Sequence, residues 1–425
     1  MKELITNIQV IFNDVRKGNR VTTFFFLLSA YYIINLLTSP ITSGMSGGLE
    51  AEHNIFNQLT AGVFVIFVLY YAVVTKANHS YSLIRVIAIF LFYITFRTYM
   101  GFATDNSRHT IFSFSSIFNM CFWAGSLIFG LKCFRLVPPE LLRRMVKMVL
   151  IAYLIYVTYR LFTQKALLMR LGISMGINMA ASVYMIIPLV FLVFKGKLRT
   201  FLLLLCCFIC LYSAKRQAVA GLAIVLFFSL KSIYQLYFQK RKLLAFIVII
   251  PLLLVSSDIV MSAAKDLLSR QELLEERDDT DSGRLQLWAV AMSGFQNSDN
   301  ATQWFGGGPG TGRKYIGAFF PIARAPHNGF IQVLCDYGYI GLIFYGLFFI
   351  FLLGYVLKVR GVDNKLHYLS ICASWIFANA ISHPGNLALV FLAIGVGYIF
   401  YLQDYEKSRN FSRDTAESSP DISRI

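Results

Sequence analysis

Three side chains in this sequence have the chemistry to move a group from a phosphate to a hydroxyl: Arg216, Arg284 and His327. An arginine fork grips two phosphate oxygens and keeps its charge, which suits a diphosphate leaving group. An imidazole takes up a proton near neutral pH and so can accept one from an attacking hydroxyl. Arg97 and Arg160 stand in apolar runs, where a charge is costly, so they either line the same cavity or snorkel to a surface. Bland roles compete: Arg216 with Lys215 can border a membrane, Arg284 can be solvated, and His327 can cap a helix.

Other chemistries are weaker. The run GGGPGTG at 306–312 looks like a phosphate loop, but Arg313 stands where that loop needs Lys, no Ser or Thr follows, and no strand precedes it. A tight turn is the better reading. Cys206, Cys207 and Cys210 imitate a metal cluster, yet no His or carboxylate lies nearby, so the cysteines read as small apolar packing residues. Asp278, Asp279 and Asp281 precede a helix and read as a cap and solvated turn. No metal and no cofactor is expected.

The elements that must position these residues are membrane helices. The chain has 425 residues, 57% hydrophobic and 14% charged, with a mean hydropathy of +0.61. Apolar runs long enough to cross about 30 Å of hydrocarbon recur along it, without the alternation of barrel strands. The expected fold is all-α: a polytopic bundle of about twelve transmembrane helices. The runs centre on Phe25, Phe64, Phe90, Phe118, Leu154, Ile186, Leu205, Val225, Ile250, Leu347, Trp375 and Leu392.

Basic loops orient the bundle, because short Lys- and Arg-rich segments stay in the cytoplasm. Arg16, Lys17 and Arg20 precede the first run, and every second turn after it is basic, whereas residues 39–53 contain no Lys or Arg. Both termini are therefore expected inside, including a polar tail at 403–425. The first apolar run reads as a span and not as a cleaved signal, since it is long and lacks a small-residue cleavage site. The net charge of +17 resides mostly in these anchors beside anionic lipid, so nucleic acid is not an expected partner.

Within a single membrane domain, 1–425, one large insert at 262–326 separates the ninth and tenth runs on the outer side. Long loops usually carry function. Its first part, 262–276, reads as an amphipathic helix. Asp281 or Ser282 then caps a second helix with apolar positions Leu285, Trp288, Ala289, Met292 and Phe295. Arg284 heads that helix on the same side as Trp288. Trp304, Phe319 and Phe320 suit either stacking on sugars or the lipid interface.

At these residues the chain resembles the bacterial O-antigen ligase and polymerase superfamily. The likeness covers roughly 213–342. It rests on Ser282-Gly283-Arg284 with Trp288 four residues after the Arg, and on His327-Asn328 with Gly338 eleven after the His. A third feature is partial: Arg216 stands at a short outer turn, but Ala220 replaces the Leu found four positions on. That departure, with the run PHNGFIQVLCDYGYIGL at 326–342, leans toward repeat-unit polymerases over ligases.

The resemblance implies a helical bundle of the bacterial inner membrane with a mostly helical periplasmic loop. It implies a metal-independent, inverting glycosyltransferase that takes glycan from undecaprenyl diphosphate to an acceptor hydroxyl, either another lipid-linked glycan or lipid A-core. Arg216 and Arg284 would hold the diphosphate, with Arg97, Arg160 and Asn328 as further binding residues. His327 would activate or orient the acceptor. Chain-length regulator and flippase proteins are candidate partners. A transporter or flippase is the rival class, but transporters show paired repeats and midplane polar groups, whereas here the polar groups gather at one face.

Overall fold

The structure, a computed structural model, describes residues 19–38, 55–75, 82–104, 110–170, 180–213, 215–237, 284–320, 326–381 and 389–417. Every regular element among them is helical. The helices are α1 (Arg20–Thr38), α2 (Ile55–Val74), α3 (Ser82–Thr104), α4 (Thr110–Cys133), α5 (Pro139–Arg170), α6 (Ile187–Val193), α7 (Gly196–Tyr212) and α8 (Arg216–Tyr237). Those of the insert are α9 (Arg284–Gln296), α10 (Asn300–Phe305) and α11 (Thr311–Gly317). The chain continues through α12 (Gly329–Gly354), α13 (Val362–Ile381) and α14 (Leu389–Glu417).

All the expected centres fall on helical backbone except Ile250, which lies outside the described residues, as do 262–283. Among the described residues, Leu83–Met100, Pro139–Gln164 and Gly329–Lys358 are long and apolar enough to cross a membrane. Shorter apolar helices run over Arg20–Ile34, Gly62–Tyr71, Ser182–Val193, Gln217–Ser232 and Val390–Gln403. The run centred on Ile186 is split, with a 3-10 segment at Ala180–Ile186 leading into α6. Pro188 sits in the first turn of α6, where its missing N–H costs nothing.

Local sequence explains several helix ends. Asn19 Oδ1 accepts from the N–H groups of Val21 and Thr22 at 3.1 and 3.4 Å, capping α1. Pro139 opens α5 just after the short 3-10 turn Phe134–Leu136. Between helices the core is dense in aromatic rings, with Phe24 of α1 stacked on Phe129 of α4 at 4.6 Å. In lipid such contacts hold helices together by packing, since tails are as apolar as the side chains.

Polar contacts gather helix ends at one face. Arg20 donates to Thr75 at 3.3 Å, Lys231 pairs with Asp363 at 2.8 Å, and Arg143 donates to the Tyr398 hydroxyl at 3.3 Å. These are ends that the basic residues assign to a single side. Arg97 lies toward the far end of α3 and Arg216 at the far end of α8. Arg160 stands about 32 Å along α5 from Pro139, at 1.5 Å per residue. Arg97, Arg160 and Arg216 thus lie toward the other ends of their helices.

The insert docks there. Leu287, Ala291 and Phe295 of α9 are buried with Ile316 of α11 and with Leu334 and Cys335 of α12. This stripe corrects the expected one: Leu285 is 59% exposed and Ala289 is exposed, whereas Leu287 and Ala291 face inward. Two apolar stripes overlap on α9, and packing selects the one whose small Ala291 admits Cys335, whose Sγ lies 3.7 Å from the Ala291 carbonyl.

Candidate functional site

The site is organised around a break in α12. Gly338 has φ 68° and ψ −168°, so the helix is interrupted and the carbonyls before it lose their usual partners. The insert supplies replacements. The Cys335 carbonyl accepts from Gly307 N–H at 3.2 Å and the Asp336 carbonyl from Gly308 N–H at 3.0 Å. The Tyr337 carbonyl lies 2.9 Å from the Tyr93 hydroxyl, whose single proton is shared with the Phe305 carbonyl at 3.1 Å. One turn on, Arg97 donates from Nη2 to the Gly306 carbonyl.

The approach is too close for side chains. A Cβ on Gly338 would lie 2.4 Å from the Trp304 carbonyl oxygen, and one on Gly306, itself at φ 79°, would lie 2.3 Å from the Asp336 carbonyl oxygen. Glycine is required at both positions. The turn that follows is where the sequence looks like a phosphate loop. Its amides converge on an internal anion: the buried Asp336 carboxylate accepts from the backbone of Gly310, Thr311 and Gly312, the last at 3.2 Å. Half-buried Arg313 is pulled below its ordinary pKa by burial, and the nearby Asp336 charge opposes that pull. An external phosphate would compete with a carboxylate already seated there.

His327 stands at the entrance to α12. Trp288 of α9 donates its indole N–H to the Pro326 carbonyl at 2.7 Å, which fixes the preceding peptide. His327 itself is half-buried with φ 53°, a left-handed conformation uncommon for a residue with a side chain. Asn328 caps α12: its Oδ1 accepts from the N–H groups of Phe330 and Ile331 at 3.0 and 3.1 Å. Capping thus occupies the Asn328 oxygen and leaves its amide nitrogen for any ligand.

Arg284 opens α9, one turn before Trp288, and is half-buried. Arg284, His327 and Arg97 therefore belong to one assembly of α3, α9, α10 and α12. Arg216 opens α8, which packs on α13, and Arg160 lies on α5, which packs on α1. Arg160 is 3% exposed and hydrogen-bonded to Tyr156, so it is held inside the bundle and does not snorkel. Sequence reasoning passed over Tyr93 and Asp336. Tyr93 lies four residues before Arg97 on the same helical face, and Asp336 is a lone acid in an apolar run, a costly placement that marks a bonded role.

Apolar helices of membrane-crossing length, carrying a polar, helical insert docked on a broken helix, make this a membrane-embedded helical protein. A family model described as O-antigen ligase matches residues 201–346, a segment that holds Arg216, Arg284, Trp288, His327, Asn328 and Gly338. The match supports the resemblance of this segment to the O-antigen ligase/polymerase superfamily and, with it, a part in O-antigen or polysaccharide assembly. No curated protein matches the chain.

Proposed function

We propose that the chain is a glycosyltransferase of about twelve spans that moves glycan from undecaprenyl diphosphate to an acceptor hydroxyl on the periplasmic side of the inner membrane. Both termini are cytoplasmic in this reading. The observation that carries it is the Trp288–Pro326 hydrogen bond, which couples the Arg284 helix to His327. A cation for a diphosphate and a base for a hydroxyl are thereby mechanically linked.

In the proposed step the acceptor hydroxyl attacks the anomeric carbon, the carbon–oxygen bond to the diphosphate breaks, and the configuration inverts. His327 takes the hydroxyl proton. The departing diphosphate carries negative charge, which Arg216 and Arg284 offset where it develops. Arg97 gives one amine to Gly306 and retains a buried Nε–H without a protein partner among the described residues, which supports a secondary role at the donor. Arg160, buried on α5, is a further donor-binding cation in this reading. No step requires a nucleotide or a metal.

Repeat-unit polymerization is the preferred form, because Ala220 departs from the ligase pattern and the run at 326–342 looks more like that of repeat-unit polymerases. Ligation to lipid A-core is the second reading, supported by the description of the matching family model. The test is reconstituted protein supplied with a defined undecaprenyl-diphosphate glycan. A longer lipid-linked chain supports polymerization, glycosylated lipid A-core supports ligation, and movement of the donor with no new glycosidic bond overturns both.

A further inference from the structure

We infer that the outer edge of α10, formed by Trp304 and Phe305, is immersed in the headgroup and acyl boundary of the bilayer. Trp304 is 54% exposed and Phe305 is 47% exposed, although both directly precede the tightly held Gly306. Rigid backbone therefore presents two large rings outward. The opposite side of α10 is polar and already engaged: Gln303 donates to the carbonyls of Gln296 and Ser298 at 2.9 and 3.0 Å, and Asp299 caps the helix through Thr302 N–H at 2.7 Å.

The height of this edge follows from the two helices beneath it. α3 and α12 pack side by side, and each has an exposed apolar stripe. On α12 the stripe includes Ile343 and Ile350, seven residues apart and hence on one face, and exposed Leu357 follows in the 3-10 turn Tyr355–Lys358. On α3 it runs through Phe92, Phe96 and Tyr99. Both belong to helices long and apolar enough to span, so lipid is the occupant of these stripes. Trp304 meets Tyr339, one turn beyond Ile343, edge to face at 5.6 Å. Phe305 is tied through its carbonyl to Tyr93, between Phe92 and Phe96. The α10 edge thus lies beside the lipid-facing stripe of α3 and continues that of α12 beyond its outer end at Ile343, where amphipathic rings prefer to lie.

This inference rests on the membrane-embedded fold and not on glycan transfer. Combined with the donor reading above, it sets the Gly306 turn at the height of a lipid-borne diphosphate. The experiment reads depth and not activity, so its failure is distinct from failure of that reading. The chain has four tryptophans. Comparison of the native protein with Trp304→Phe in nanodiscs isolates the Trp304 emission. Lipids brominated near the carbonyl end of the acyl chain are expected to quench most of that component, with acrylamide quenching it little. A component untouched by bromolipid overturns the inference, whether acrylamide quenches it, as for a ring bathed in water, or leaves it, as for a ring covered by protein. Phe305→Trp, which keeps Trp304 in place, gives the same reading from a gained signal if Trp304→Phe accumulates poorly.

Discussion

Trp288 and Pro326 are joined by a 2.7 Å hydrogen bond from the indole N–H to the carbonyl, and this bond fixes the peptide that aims His327. Trp288→Phe keeps an aromatic ring, though a smaller one, and removes the donor. The variant is expected to accumulate normally and to lose roughly ten- to a hundredfold in transfer rate, the scale of a small misplacement of a reacting group. Single-turnover transfer by reconstituted protein measures it. An unchanged rate would show that the bond is structural decoration.

The left-handed backbone at His327 allows side-chain chemistry to be separated from fold. His327→Gly removes the imidazole and relaxes the φ of 53°, whereas His327→Ala removes the imidazole and keeps the strain. Both are expected to be inactive. His327→Gly should be the more stable of the two by about 1 kcal/mol, read as a higher unfolding temperature in detergent.

Gly306 and Gly338 admit no side chain, since an added Cβ would approach carbonyl oxygens to 2.3 and 2.4 Å. Gly338→Ala is expected to destabilise the insert's docking by about 3 kcal/mol or more, combining steric overlap with strain at positive φ. Limited proteolysis should then open the insert while the helical body stays resistant. Gly346→Ala is the control: a Cβ there meets nothing within 4 Å, and the residue lies in α12, so Ala is expected to be neutral or stabilising by up to about 1 kcal/mol.

Tyr93 and Arg97 latch the insert to α3. Tyr93→Phe removes the hydroxyl bonded to the Tyr337 and Phe305 carbonyls, leaving them short of a donor at an expected cost of about 1–3 kcal/mol. Arg97→Lys keeps a charge but loses the planar fork that reaches Gly306. Both variants should loosen the insert to the same protease that reports on Gly338→Ala. Intact docking in both would place the latch elsewhere.

The helical body was legible because apolar runs of membrane-crossing length leave backbone few alternatives. Arg284 at the head of α9 and the turn character of 306–312 were legible for equally local reasons: helical spacing in one case, failed phosphate-loop chemistry in the other. The inward face of α9 was not, because Leu285 and Leu287 are equally apolar and only contact with Cys335 and Ile316 chooses between them. Nor was the closure around Asp336. Its partners Gly310, Thr311 and Gly312 lie more than twenty residues away, and nothing in an apolar helix pattern announces that an acid will turn back to fill a glycine turn.

Roles for Arg284 and His327 make a prediction in cells that the fold alone does not. In a strain lacking the gene, a polymerase leaves surface glycan capped at one repeat, because ligation continues on unpolymerised donor. A ligase leaves no surface glycan and accumulates long lipid-linked chains, because polymerization continues without an outlet. His327→Ala and Arg284→Ala are each expected to reproduce whichever pattern the deletion gives, at native protein level in the membrane. Removing the base or the leaving-group cation raises the same barrier, so the double variant should be little worse than either single one. Near-normal surface glycan from either single variant would remove that residue from the reaction, and a third pattern, donor trapped on the cytoplasmic side, would move the protein to the transporter class.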